Sequence, residues 1–280
     1  MTAEQVVEKR RLAPTTILTI NSTIAAALGV VFAFFIDSLG RWVVGALLDR
    51  GPVLYNNRVE FTTGGSDLAL AAGAAASIVA GIIFLAIYPG SRAHDASRLA
   101  VLWLILHCFR QGFVQMAMVP FDSDADLTKA LATLDLPGGF DVVIGAAGAI
   151  GILLVSLAAA PAFLAYAPSR DDIAGPRKRL GFVARVAVLA GVLGALLAVP
   201  FFLPDPGTGL IAAVPLGAAF TLITLLASPG TKHVQAPQYP VEQNFSWGLA
   251  GTFVVTLVVF RFFLSRGIPL PPNPDGFFAQ

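Results

Sequence analysis

The side chains that could do chemistry are concentrated in one stretch, SRLAVLWLILHCFRQGFVQMAMVPF, residues 97–121. At steps of three and four residues it carries Trp103, His107, Arg110, Gln111, Val114, Gln115 and Met118, which on a helix form a single stripe. The residues around them are apolar enough to cross a bilayer, so the guanidinium of Arg110 sits inside hydrocarbon. An unpaired arginine there costs about 2.5–3.5 kcal/mol on insertion scales. The stripe is therefore expected to face the bundle interior, a wet cavity or a neighbouring subunit. As a pocket, it offers the fixed charge of Arg110, the adaptable hydrogen bonds of Gln111 and Gln115, and the exchangeable proton of His107. As structure alone, it is a satisfied network in which Arg110 bonds carbonyls or an acidic partner, the candidates being Asp37, Asp67 and Asp141 at the ends of neighbouring spans.

A lone histidine within a span also suggests an axial ligand to haem or to the magnesium of a chlorin, with Trp103 one turn away to stack on the macrocycle. The next stripe position, Val114, adds apolar wall but no second aromatic, and no second axial ligand is evident. Asn21, Ser22 and Thr23 form another polar spot, in the first span. Ser22 and Thr23 are expected to bond their own helix, and Asn21 to reach another helix, with His107 as the candidate partner. The single cysteine, Cys108, allows no intramolecular disulfide and reads as a small core residue.

Other chemistries find no residues. There are three histidines, no cysteine pair and no HExxH, so no metal site is assigned. The last span, FSWGLAGTFVVTLVVFRFF, has no lysine for a retinal Schiff base, and no DDxxD, GxSG or Walker signature occurs. His107 has no nucleophile beside it, so general-base catalysis ranks last and no catalytic residue is assigned.

The elements that must position the stripe are legible in composition. The 280 residues are 56% hydrophobic and 12% charged, where soluble domains are about 25% charged. A spanning helix needs roughly 20 apolar residues. Seven runs qualify: 15–36, 68–88, 97–118, 140–166, 180–203, 208–228 and 245–265. The expected fold is an all-α integral membrane protein, a bundle of about seven transmembrane helices over residues 15–265. A cytoplasmic segment, 1–14, precedes it. A proline-rich tail, 266–280, is expected to run as extended polyproline. In the outside loop 37–67, SLGRWVVGALLDR has helical spacing and reads as a short interfacial helix with Trp42 near the headgroups. YNNRVEFTTGG reads as a small hairpin or cap.

Basic residues assign the orientation. With the N-terminus inside, the inside holds Lys9, Arg10, Arg11, Arg92, Arg98, Arg170, Arg177, Lys178, Arg179 and Lys232. The outside holds Arg41, Arg50, Arg58, Lys129 and Arg266, so ten against five favours N-in and C-out. Small-residue stretches, AAGAAAS (71–77) and AAGAIG (146–151), suit close helix packing or docking. No dense basic patch suggests nucleic acid. Four lysines against fourteen arginines, with abundant Ala and Gly, point to a GC-rich bacterium and its cytoplasmic membrane.

Three functions fit this inventory. The least demanding is an accessory or structural subunit of a larger membrane complex, with the bilayer and other membrane subunits as partners. The second is a small-solute or ion transporter or binding protein that uses the stripe. The third is a cofactor-binding protein or enzyme built on His107.

Overall fold

The computed structural model describes residues 13–64, 67–88, 95–134, 136–203, 219–231, 234 and 243–270. These are mostly helical. α1 (Pro14–Leu47) opens on a proline, whose fixed φ suits a first turn and whose missing N–H would be unused there. A small hairpin follows, β1 (Pro52–Leu54) and β2 (Val59–Phe61), and then α2 (Leu68–Ile87) and α3 (Ala96–Met118). The Asp95 carboxylate caps α3 by accepting from the Arg98 N–H. Next come the short α4 (Asp126–Ala132), α5 (Phe140–Leu164), α6 (Pro176–Phe202), the twelve-residue α7 (Ala219–Gly230) and α8 (Trp247–Phe262). A last strand, β3 (Ile268–Pro269), pairs antiparallel with β1 in a sheet of order β2-β1-β3.

Six of these helices are long and apolar enough to cross a membrane: α1, α2, α3, α5, α6, and α8 with its short continuation to Arg266. α7 matches the later part of the run expected at 208–228. Residues 208–218 lie outside the described residues, as do nearly all of the expected cytoplasmic segment 1–14, the tail from 271 onward, and both other histidines, His94 and His233.

α1 is the hub of the bundle. In its most apolar window 67% of residues are buried, against 22% for α2 and for α8. The cause is side-chain size. Ala25, Ala26, Ala27, Gly29 and Ala33 on α1 let α3 and α6 approach backbone to backbone. A Cβ on Gly29 would stand 3.0 Å from the Trp103 carbonyl carbon, and one on Gly194 of α6 2.9 Å from the Thr23 oxygen. The outer helices turn bare apolar side chains outward, among them Ile82 on α2, Leu154 on α5, Leu196 on α6 and Val255 on α8. That pattern is consistent with a multipass membrane protein, whose solvent on these faces is lipid.

The bundle has two ends. The near end holds the start of α1. There Asn21 donates to the Asn244 carbonyl at 2.8 Å and accepts from the Ser246 N–H at 2.9 Å, tying α1 to the start of α8. The Tyr88 and Tyr166 hydroxyls meet at 2.9 Å, and Arg179 donates to the Thr231 carbonyl. Burial first, then the bond to Tyr88, hold the Tyr166 pKa above the ordinary tyrosine range. The far end holds the three-stranded sheet. From it Asn56 donates to the Phe201 and Leu203 carbonyls at 2.7 and 3.2 Å, satisfying the open end of α6. Trp42 of α1 donates to the Ile268 carbonyl there.

One expected element takes a different form. Residues 37–47 are helical, as their spacing predicts, but they prolong α1 without a break and form no separate interfacial helix. At 1.5 Å per residue the 34 residues reach about 51 Å, well beyond a hydrocarbon core of about 30 Å. The extension is held by its neighbours: Gly40 packs against Ala72 and Ala76 of α2, and Gly45 against Phe61 of β2. The hairpin expected beyond it is present as β1–β2, with Val53 opposite Glu60.

Candidate functional site

α3 places the stripe against α1. Trp103 is buried, its ring stacked on His107 at 5.4 Å and 19° and tilted onto Phe163 of α5 at 5.0 Å. Its Nε1–H donates to Ser22 Oγ at 2.8 Å, and Ser22 donates in turn to the Val186 carbonyl at 2.6 Å. Val186 lies in a π-helical turn, Ala184–Leu189, within α6. Such a turn leaves backbone carbonyls without their usual partners, and Ser22 satisfies one of them. Thr23 bonds its own helix at the Thr19 carbonyl, whereas Ser22 bonds across to α6. Asn21, expected near His107, is instead taken by the chain entering α8. The near end of that entry offers two backbone groups that no helix can satisfy, and an amide matches both.

His107 is 9% exposed. Its Cδ2 edge lies against α1, where a Cβ on Gly29 would stand 2.9 Å away. Its Nδ1 accepts from Arg110 Nε at 3.3 Å, while its Nε2 is buried and has no hydrogen-bond partner among the described residues. Arg110 is half-buried, and that bond within its own helix is its one hydrogen bond among the described residues. Gln111 is buried and makes no side-chain hydrogen bond there. Arg110 falls about 12 Å short of Met118, the last residue of the helix, along the helix axis.

The carboxylates expected to pair with Arg110 are committed elsewhere. Asp37 is 4% exposed and pairs with Arg41 at 2.9 Å, one turn along α1. It also accepts from Gln115 Nε2 at 2.6 Å. Arg41 continues to Asp126 of α4 and to Gln115 Oε1. Asp67 pairs with Arg50 at 3.4 Å. Asp141 is exposed in the first turn of α5. Gln115 therefore belongs to a network joining α1, α3 and α4, while Arg110, His107 and Gln111 form a separate cluster below it. The signal for the network was present in the sequence as Asp37 and Arg41 at i and i+4.

Helical spacing shows where the cluster faces. His107 points at α1, and Phe113 points at α5, where it fills the space beside Gly151. Arg110 projects between these two directions. α1 and α5 each pack along α3 yet barely meet one another, and the later half of α6 stays with α1 and α8. Arg110 therefore lies along the seam of α3 between its packing against α1 and its packing against α5.

The arrangement does not suit a haem or chlorin. An axial imidazole needs a bare Nε2 lone pair, and its Nδ1–H then donates to a neighbour. Here Nδ1 faces a guanidinium that can only donate. The ring edge bearing Nε2 lies against α1, and Trp103 covers the histidine face itself. Among the described residues no group of three His, Cys, Asp or Glu side chains could hold a metal ion. Cys108 is fully buried and reduced.

The small-residue faces that suited docking are occupied within the chain. Gly73 packs on Asp37 and Arg41, Gly81 on Phe109, and Gly148 and Gly151 on Phe113. Comparison with known proteins gives no match: no family model, no curated protein and no solved structure resembles the chain.

Proposed function

We propose that this is a multipass protein of a bacterial cytoplasmic membrane that binds a small polar solute in the seam beside α3 and carries it across. Arg110 is the principal contact, with His107 and Gln111 beside it. One observation carries the reading. Arg110 is half-buried near the middle of an apolar helix and pairs with no carboxylate among the described residues, although five carboxylates in the bundle hold cations. A charge needed only for assembly would be paired, because breaking such a pairing is costly.

The alternative, a subunit of a larger complex, loses part of its support because the faces of α2 and α5 are used internally. Its other support, the proline-rich tail, lies mostly outside the described residues. Co-purification of one stoichiometric partner in mild detergent would restore it.

The test is a thermal-shift screen of the purified protein against small carboxylates, phosphates, sugars, amino acids and inorganic ions, followed by uptake of any hit into liposomes. Arg110→Ala is expected to insert normally and to lose both stabilisation and uptake, at least tenfold at subsaturating solute. Full retention of a hit's effect in that variant refutes the proposal.

A further inference from the structure

We propose that the occupant of the seam is an anion, bound through a carboxylate- or phosphate-type acceptor group by Arg110, with His107 as the residue that positions the guanidinium. This rests on the binding reading above and narrows it to one chemical class.

The proton inventory carries the inference. Arg110 Nε donates to His107 Nδ1 at 3.3 Å. A guanidinium has five N–H donors and no acceptor, so Nδ1 must present its lone pair and the ring proton resides on Nε2. Nε2 is then a donor too, and it is buried without an acceptor among the described residues in a side chain only 9% exposed. That edge lies against α1, so toward Arg110 the ring presents only the Nδ1 lone pair, which the guanidinium already uses. The terminal amino groups of Arg110 likewise reach no acceptor among the described residues. Every uncommitted polar atom of the pair is thus a donor, and one of the two groups is permanently charged.

Ligand classes separate on that basis. A cation would meet a like charge and no acceptor. A neutral polyol brings hydroxyl protons that this pair cannot receive. An anion brings acceptors only, and charge-assisted bonds to Arg are roughly twice as strong as neutral ones. Gln111, buried beside the pair with its amide uncommitted, can receive one hydroxyl or amino proton from a substituent on the anion. Free anions and anionic lipid headgroups share this chemistry.

The experiment uses the full-length protein in phosphatidylcholine nanodiscs. Thermal midpoints are read against sodium formate, sodium benzoate, inorganic phosphate and tetraethylammonium chloride at matched ionic strength, and again in nanodiscs containing phosphatidylglycerol. Saturable stabilisation by at least one anion is expected, with none from tetraethylammonium. An effect of phosphatidylglycerol that free anions do not compete away assigns the source to a lipid headgroup, and competition assigns it to a soluble anion. Arg110→Gln is expected to abolish the effect. His107→Asn, whose amide oxygen can replace Nδ1 as the acceptor for Arg110, is expected to retain most of the effect, whereas His107→Leu, which offers no acceptor, weakens it at least tenfold. Nitrogen-15 spectra of labelled histidine should show His107 protonated at Nε2 before ligand is added.

Stabilisation by tetraethylammonium alone, lost in Arg110→Gln, overturns the anion assignment and leaves solute binding standing. Silence of every anion and of phosphatidylglycerol overturns the anion assignment, while solute binding is judged by the wider screen above. A ring proton found on Nδ1 overturns the role given to His107.

Discussion

Asp37 and Arg41 stand one turn apart on α1, with side chains 5% and 18% exposed. Arg41 also holds Asp126, and Gln115 bonds Asp37, so a single guanidinium organises three helices. Removing one member of a buried pair costs about 3–5 kcal/mol, because the remaining charge is stranded. Asp37→Asn should fall at the low end, about 3 kcal/mol, since Arg41 retains Asp126. The double variant Asp37→Asn/Arg41→Gln should cost less than the sum of its parts. Denaturation in mixed micelles measures both, and strict additivity would show that the pair does not interact. The same pair explains a difference between expectation and structure. Spacing along α3 groups His107, Arg110, Gln111 and Gln115 in one stripe, whereas Gln115 bonds into the Asp37–Arg41 network and Arg110 bonds His107 apart from it. Spacing did not assign their partners, because a carboxylate one turn from an arginine on its own helix is already positioned, whereas one on another helix depends on tertiary packing.

At the scale of the helix, glycine governs how closely α3 can be approached. Gly148 of α5 packs directly on the α3 backbone, and an added Cβ would lie 2.6 Å from the Phe113 oxygen. Backbone cannot swing aside as a long side chain can, so overpacking here is expected to cost about 1–3 kcal/mol or more. Gly251 of α8 has nothing within 4 Å of such a Cβ. Gly148→Ala should therefore lower the melting temperature markedly, and Gly251→Ala should leave it unchanged or slightly raised. Equal behaviour of the two would mean that α3 and α5 do not pack as described. The π-helical turn of α6 is open to a similar test. Ser22→Ala leaves the Trp103 N–H and the Val186 carbonyl short of a partner, at about 1–3 kcal/mol, and tryptophan fluorescence in the unheated protein should report the altered indole. Apolar runs made the helices legible, and the AAGAIG stretch indicated close packing. The π turn left no trace in the sequence, because it depends on what α1 presents to α6. The uninterrupted length of α1 was hidden for a related reason: Trp42 and Arg41 resemble an interfacial loop until β3 and α4 supply them with partners.

For the molecule as a whole, the open question is which end faces the cytoplasm. Charge pairing at the two ends bears on it. The pairs Arg41–Asp37, Arg41–Asp126, Arg50–Asp67, Arg58–Glu60 and Lys129–Asp124 all lie at the far end, where carboxylates offset the basic residues. At the near end, Arg177, Lys178 and Arg179 open α6 together, and Lys178 and Arg179 donate to backbone carbonyls instead of carboxylates. Uncompensated arginine and lysine close to a span resist translocation, so the near end is expected inside, with the sheet and α4 outside. The starts of α1 and α8 share the near end, which places the end of α8 on the opposite side from the start of α1. Cysteine labelling can decide it. Cys108 is buried, so a Cys108→Ala background is suitable for single reporters. Asp124, whose side chain is 93% exposed at the far end, replaced by cysteine should react with a membrane-impermeant maleimide in intact spheroplasts. Ser97→Cys, exposed at the start of α3, should react only after lysis. The opposite pattern would reverse the orientation while leaving the bundle unchanged, and the seam over Arg110 would then lie closer to the cytoplasm than to the outside.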